Sequence, residues 1–489
     1  MSMQPLGDRL EAGQLDPLQS PAFRDRLKGA DVAFDGRRMQ EMLQAALLGK
    51  DAAHTIEGCR VSQAIYLARE ERCNLVYELK VRDAHSRAIT KRVVCARIFT
   101  KRVACEDYLR DRLAPLGREM AGRPELAPFA TPVAMLEPHH MVASVFPVDG
   151  DLPALVGAAD PQRMSAVFRE VLPPANGGSV DPCRVEVVRY RARKRCVLRY
   201  VIERSEPVVV YGKVLQQPAS GDVAEAMLAL GAVARGGNGV QEFHVPRPLR
   251  YEPDPQLALV EGIPGDPRRI KRLLRKRGRG VAVSPGKLTL EGALDVCGRI
   301  AAALHGSGIP LGRHHTFERE LRRLRGMISD VEPFAPDFGR RLLGWHAQLE
   351  AHARRSKPMT AGFSHGDFSL SQFLFDHAVG GLVDFDTLCQ AEPARDLGHF
   401  LGYLRVGATR QSEAAPTPFT EALRERFLGA YLAASHHREA TEEQLRARVA
   451  LYEASTLLGL TMRSWVKFKT PRLEHASAIL DSLELMVNR

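Results

Sequence analysis

Among the acidic and amide side chains between Ser364 and Leu401, three carboxylates and one amide stand out by their spacing: Asp367 after a His-Gly turn, Gln372, Asp384 and Asp396. A carboxylate that takes a hydroxyl proton, an amide oxygen and a second carboxylate able to hold a metal are the minimum for moving a phosphoryl group. Mg²⁺ suits such a set, because it takes oxygen ligands and needs only one or two from protein. Phe373 to Phe375 and Leu382 to Phe385 read as short buried strands. The intervening DHAVGG reads as a turn, so a hairpin would bring the Asp367 loop beside Asp384.

HGDxxxxQ, VDFD and PxxDLG, in that order, resemble the catalytic core of the aminoglycoside phosphotransferase and choline kinase-like superfamily, relatives of protein kinases. The resemblance implies an α+β, protein kinase-like fold with a β-rich N-lobe followed by a mostly helical C-lobe, and ATP with Mg²⁺ as cofactors. It implies Asp367 as the catalytic aspartate, Asp384 as a metal ligand and Asp396 as a support of the catalytic loop. Gln372 stands where the family has a metal-binding asparagine, offering the same carbonyl on a longer arm.

An internal repeat lies ahead of this stretch. CRVSQAIYLAREERCNLVY from Cys59 matches CRVEVVRYRARKRCVLRY from Cys183 at ten of eighteen positions once Glu71 is set aside as an insertion. The β-rich lobe is thus expected twice. The division expected is an N-terminal segment with one helix (1–50), a degenerate first copy (51–150), a connector (151–182), the nucleotide-binding copy (183–266) and the helical lobe (267–489). The helix expected in the first segment is Gly36 to Leu48.

In the second copy Lys213 sits mid-strand among apolar neighbours, at the family's phosphate-binding lysine. A buried ammonium needs an anionic partner, and Glu225 on the following helix is the expected one, with Asp222 one turn earlier as the alternative. Arg97 takes that place in the first copy and is a poor substitute for a point charge on phosphate. No glycine-rich loop precedes Lys213. The basic turn with Arg191, Arg193, Lys194 and Arg195 stands there instead, so Arg193 is a candidate nucleotide contact or part of a solvated hairpin. Val260 and Gly262 fall at the hinge that would meet adenine.

The 489 residues carry a net charge of +11, and 45% of them are hydrophobic. The charge suits anionic ligands without choosing among them. Eight scattered cysteines form no CxxC pair, no apolar run is long enough for a membrane span, and the N-terminus has no signal-peptide pattern. A cytoplasmic protein without membrane attachment is expected. The densest basic run, RRIKRLLRKRGRG from Arg268, reads as a helix basic nearly all round and solvated, with contact to an anionic acceptor or nucleic acid as the alternative; it lacks the interleaved aromatics of a nucleic-acid binder. The helix Thr289 to Leu304 ends in His305, read as structural, and Glu453 and Arg463 in the last helical region are candidate substrate contacts.

The expected activity is transfer of the γ-phosphoryl group of ATP to a hydroxyl of a small molecule, a sugar or sugar derivative. The alternatives are a pseudokinase that binds nucleotide for regulation and, more remotely, a nucleic-acid-binding protein. No feature of the sequence bears on oligomeric state.

Overall fold

The computed structural model describes residues 16–49, 53–173, 182–216, 221–236, 242–252, 256–281, 284, 286–409, 418–435 and 441–469. The Gly-Gly end of the connector and residues 470–489 of the last expected helical region lie outside them.

Two five-stranded antiparallel sheets share one strand order. The first holds β1 (His54–Leu67), β2 (Arg72–Asp83), β3 (Ile89–Phe99), β4 (Val133–Leu136) and β5 (Met141–Val145), in the order β1-β2-β3-β5-β4. The second holds β6 (Cys183–Arg191), β7 (Arg195–Ile202), β8 (Val208–Leu215), β9 (Pro248–Glu252) and β10 (Leu257–Glu261), in the order β6-β7-β8-β10-β9. The repeat is therefore one of topology as well as sequence. Register carries it to single residues. Cys73 faces Ile98 and Cys196 faces Val214, so Arg97 and Lys213, each one residue before those partners, occupy equivalent places.

The expected N-terminal helix is present as Gly36–Leu43, continued by a wider turn to Leu48. Asp35 caps it by accepting from the Arg37 and Arg38 N–H groups, and Met39, Leu43 and Leu47 are fully buried. The two sheets pack through their facing sides. Val76 and Cys95 of the first join Leu198, Tyr200 and Val210 of the second, with Leu155 and Phe168 of the connecting helices Leu155–Ala158 and Pro161–Val171 in the same core.

From Arg269 onward the chain is mostly helical, and five short strands serve the loops between helices: β11 (Arg313–His314), β12 (Gly362–Ser364), β13 (Phe373–Asp376), β14 (Val379–Leu382) and β15 (Cys389–Ala391). The helix Leu290–His305 buries an apolar stripe that includes Leu294, Cys297 and Ala301. The basic run forms the helix Arg269–Gly278. It is not basic all round, because Ile270, Leu273 and Leu274 are buried and the charged residues form its outer face. Phe334, beyond the helix Phe317–Val331, lies 5.4 Å from the ring of Tyr66 and 5.8 Å from Phe23, and stacks on Trp465 at 6.1 Å. The first sheet and its N-terminal segment thus touch both the second sheet and the helical lobe. No helix among the described residues is long and apolar enough to cross a membrane.

Candidate active site

The hairpin is present, with its strands displaced from the expected positions. Phe373 pairs with Leu382 and Asp376 with Val379, so the second strand ends where it was expected to begin. Gly380 and Gly381 are strand residues rather than turn residues. A Cβ on Gly380 would meet Val296 at 2.7 Å, and one on Gly381 would meet Ile263 at 2.6 Å. Close packing on neighbouring elements, not a bend, is what these glycines serve. Asp384 follows the strand in the left-handed conformation, φ +72°.

The loop after β12 is held from beneath. The His365 and Gly366 N–H groups donate to the two oxygens of Asp396 at 2.6 and 2.9 Å. Burial would raise the Asp396 carboxyl, but the His305 hydrogen bond and the charges of His305 and Arg395 hold it well below the usual carboxylate range. Gly366 has φ +83°, and any side chain there would strike the Thr387 carbonyl. The His365 Nε2–H donates to the Val383 carbonyl at 3.0 Å, tying the loop to the strand that ends at Asp384. His305 meets Tyr431 at 3.2 Å and Asp396 at 3.5 Å, a supporting role.

Asp367 receives two hydrogen bonds. Gln372 Nε2 donates to its Oδ2 at 2.7 Å, and His399 Nε2 lies 3.1 Å from its Oδ1. Burial pushes against ionisation, yet His399 lowers the Asp367 pKa, while burial lowers that of His399 itself. The pair at neutral pH is therefore a carboxylate and a neutral imidazole that donates to it. His399 was not singled out in the sequence; its place in DLGHF, three residues after Asp396, was the available signal.

Across the cleft, Lys213 Nζ reaches Asp384 Oδ1 at 2.7 Å and Asp386 Oδ1 at 2.8 Å, and Arg195 lies 3.4 Å from both carboxylates. Burial opposes it, but Lys213 and Arg195 hold the Asp384 carboxyl far below its ordinary value. This corrects the expected ion pair. Glu225 is exposed and makes no ion pair among the described residues, because the two aspartates after β14 lie nearer to Lys213. Asp386, the second acid of VDFD, was passed over in the sequence.

The basic turn divides by face. Arg191, Lys194 and Arg195 line the cleft, as does Asp367. Arg193, expected at the nucleotide, points the other way. It is buried, its N–H donates to Asp149 Oδ2 at 2.7 Å, and its guanidinium lies 4.6 Å from the Tyr108 ring centroid and bonds the Tyr108 hydroxyl. Tyr190 donates to the same Asp149 oxygen at 2.6 Å and accepts from the Cys95 thiol at 2.9 Å. The left-handed φ of +65° at Arg193 turns its side chain out of step with its neighbours. The hairpin standing where kinases have a mobile glycine-rich loop is thereby anchored on the first sheet.

The hinge residues are bound up in the sheet. Val260 pairs with Tyr211 on one side and Pro248 on the other, and the Gly262 N–H donates to the Val209 carbonyl at 2.9 Å. The Gly262 amide expected to face adenine is therefore already satisfied. Glu453 is also corrected: it is buried and paired with Arg405 at 2.7 Å and Arg424 at 3.4 Å, a support within the helices, whereas Arg463 lines the cleft.

The donor set fits magnesium. Asp384, Asp386 and the Gln372 amide offer hard oxygens, with Lys213 and Arg195 now neutralising the carboxylates. Among the described residues no three His, Cys, Asp or Glu side chains group as a metal cage. An ion bound largely through phosphate needs none.

Residues 209–451 match the model of the phosphotransferase enzyme family. That match bears out the resemblance drawn from Ser364 to Leu401, and the fold is α+β and protein kinase-like with its β-rich lobe present twice. Among solved structures, a choline/ethanolamine kinase family protein from Mesorhizobium loti is similar at 15% identity and a TM-score of 0.43, covering 67% of this chain and 97% of its own. Plasmodium vivax ethanolamine kinase is similar at 11% identity and a TM-score of 0.41, covering 66% of this chain and 89% of its own. A glucosamine kinase covers 96% of this chain and 98% of its own, at 16% identity and a TM-score of 0.42. A search of curated proteins returned no match.

Proposed function

We propose that this relative of the phosphotransferase enzyme family transfers the γ-phosphoryl group of ATP to a hydroxyl of a small molecule, a sugar or sugar derivative. One observation carries the reading. An ionised Asp367 and a separate pair of carboxylates, Asp384 and Asp386, open on one cleft, with Lys213 and Arg195 between that pair and the second sheet.

Asp367 accepts the proton of the acceptor hydroxyl as its oxygen bonds to the γ-phosphorus and the bond from that phosphorus to the β-phosphate oxygen breaks, leaving ADP. Gln372 and His399 donate to Asp367 and fix its orientation. Its lowered pKa keeps it a carboxylate at neutral pH. Asp384, with Asp386 or Gln372, would hold Mg²⁺. When bound, that ion neutralises charge on the phosphates. Lys213, released from the two carboxylates, would meet the phosphates, and Arg195 beside it adds a second positive charge. Positioning and charge neutralisation supply most of what such a transfer requires.

MgATP-induced thermal stabilisation, followed by an ATP-consumption assay with a panel of hydroxyl acceptors, tests this. Stabilisation and acceptor-dependent ADP release that Asp367→Asn abolishes would support it. Stabilisation without turnover on any acceptor would instead mark a nucleotide-binding regulator.

A further inference from the structure

The cleft of about 620 Å³ that contains Asp367 runs from the basic turn and the end of β8 down to the last helix, Glu442–Val466. Val260 and Gly262 do not line it. It takes in Asp367, Asp386 and Arg195 at the reacting centre and extends from there toward the last helix, away from the hinge.

Its charge is lopsided. Among the described lining residues six are Arg or Lys and three are Asp or Glu. Three of the six have acids to meet. Arg323 pairs with Glu320 at 2.5 Å, Arg195 with Asp386 at 3.4 Å, and Arg395 lies 3.8 Å from Asp396. Arg191, Lys194 and Arg463 form no ion pair among the described residues, although Arg191 feels the charges of Asp367 and Asp384. Arg463 makes only a 3.5 Å contact to the Tyr403 hydroxyl.

Arg463 is also close to the chemistry. The Tyr403 ring it touches packs 5.1 Å from His399, and His399 bonds Asp367 at 3.1 Å. Ser455 and Thr456, on the same helix as Arg463, line the cleft beside it. Lys467, four residues beyond Arg463 at the C-cap of that helix, lies close enough for the charges of Arg191 and Arg463 to act on it. A helix C-terminus ordinarily welcomes cations, which is the plain structural account of both residues. It is insufficient here. Burial, and then the charges of Arg191 and Arg463, push Lys467 down to about 7, and burial with the same two guanidiniums and Arg195 lowers Lys194.

We infer that the acceptor carries an anionic group, a carboxylate, phosphate or sulfate, besides the hydroxyl presented to Asp367, and that Arg463 holds this group with Lys194 and Lys467 nearby. The inference rests on the phosphotransferase reading and narrows its substrate class to hydroxylated acids or acidic sugars. It argues against cationic acceptors, which would meet a surplus of like charge. Ser455 and Thr456 offer hydroxyl contacts suited to the rest of such a molecule.

The test is a calorimetric titration of the full chain with sodium sulfate at constant ionic strength, with and without saturating MgAMP-PNP. One sulfate should bind in the presence of the nucleotide. Arg463→Gln should weaken it about ten- to a hundredfold, the range for one charged hydrogen-bonding group, and leave MgAMP-PNP affinity unchanged. Arg463→Lys should retain part of the binding. Sulfate that fails to bind, or that MgAMP-PNP displaces, would overturn the assignment, displacement meaning that these cations serve the nucleotide. Absence of MgAMP-PNP binding would overturn the phosphotransferase reading itself, and the acceptor class with it.

Discussion

The two sheets place a cation at one register position and use it in opposite ways. In the second, Lys213 reaches across to Asp384 and Asp386 on the helical lobe and remains partly accessible. In the first, Arg97 is wholly buried. It bonds Asp151 and the Asn74 oxygen (2.8 Å) and lies 4.3 Å from the Tyr108 ring centroid. Burial and then the neighbouring Arg193 pull its pKa down to about 10. Tyr108 is therefore held between Arg97 of one copy and Arg193 of the other. The lesson is that duplication left one copy with a cation facing the cleft, the strand proposed above to bind nucleotide, and turned its twin into a brace. The brace supports the basic turn of the working copy, through Asp149 on Tyr190 and Arg193. A turn without glycines is then held in place at the edge of the cleft rather than closing as a flexible loop would.

Changes at the catalytic pair should divide most sharply. Asp367→Asn should cut turnover by about 10²- to 10⁴-fold while sparing MgATP affinity, and Asp384→Ala should weaken MgATP binding as well. Steady-state kinetics with nucleotide titrations on both variants would check this, and equal loss of affinity in the two would mean their roles are wrongly divided. In the brace the effect should fall on folding. Arg97→Met leaves Asp151 buried without its cation, and denaturant unfolding should register a loss of about 3–5 kcal/mol. An unchanged midpoint would show that Arg97 is not the anchor described.

Tyr190→Phe sits between the two regimes. It removes one of the two donors to a buried Asp149 oxygen, a loss of about 1–3 kcal/mol, and by loosening the turn it should also raise the KM for MgATP. A stability loss with no change in KM would separate the brace from the cleft. Lys467→Met should act with the opposite sign. Lys467 titrates near 7 when folded and at about 10.4 when unfolded, so between those values the unfolded chain holds more protons and stability rises with pH. The burden of the buried charge is complete below pH 7. Lys467→Met should therefore raise the melting temperature at pH 6, and the gain should shrink as pH rises toward 9. A gain independent of pH would mean the ammonium is not the cause.

Much of the helical lobe's catalytic loop could be read in advance, because its residues are close in sequence: the His-Gly turn, Asp367, Gln372 and Asp384 all fall between β12 and the helix Pro393–Thr409. The repeat was legible because ten identities survive in one hairpin. What escaped depends on contacts between distant segments. Lys213 offered a choice of acids, and nothing local favours Asp384 and Asp386, on the far side of the cleft, over Glu225. Basic residues at a hairpin tip look alike in sequence, yet Arg193 and Arg195 face opposite ways once a left-handed residue breaks the alternation. Gly380 and Gly381 read as a turn because the side chains of Val296 and Ile263 that crowd them come from elsewhere in the chain.

The central claim, one nucleotide site formed by the second sheet and none by the first, is tested most directly by calorimetric titration of the parent and of Lys213→Ala with MgATP. The account predicts one site per chain in the parent and loss of that binding in Lys213→Ala, with the first sheet and its Arg97–Asp151 pair still folded. Two sites per chain, or undiminished binding without Lys213, would contradict it.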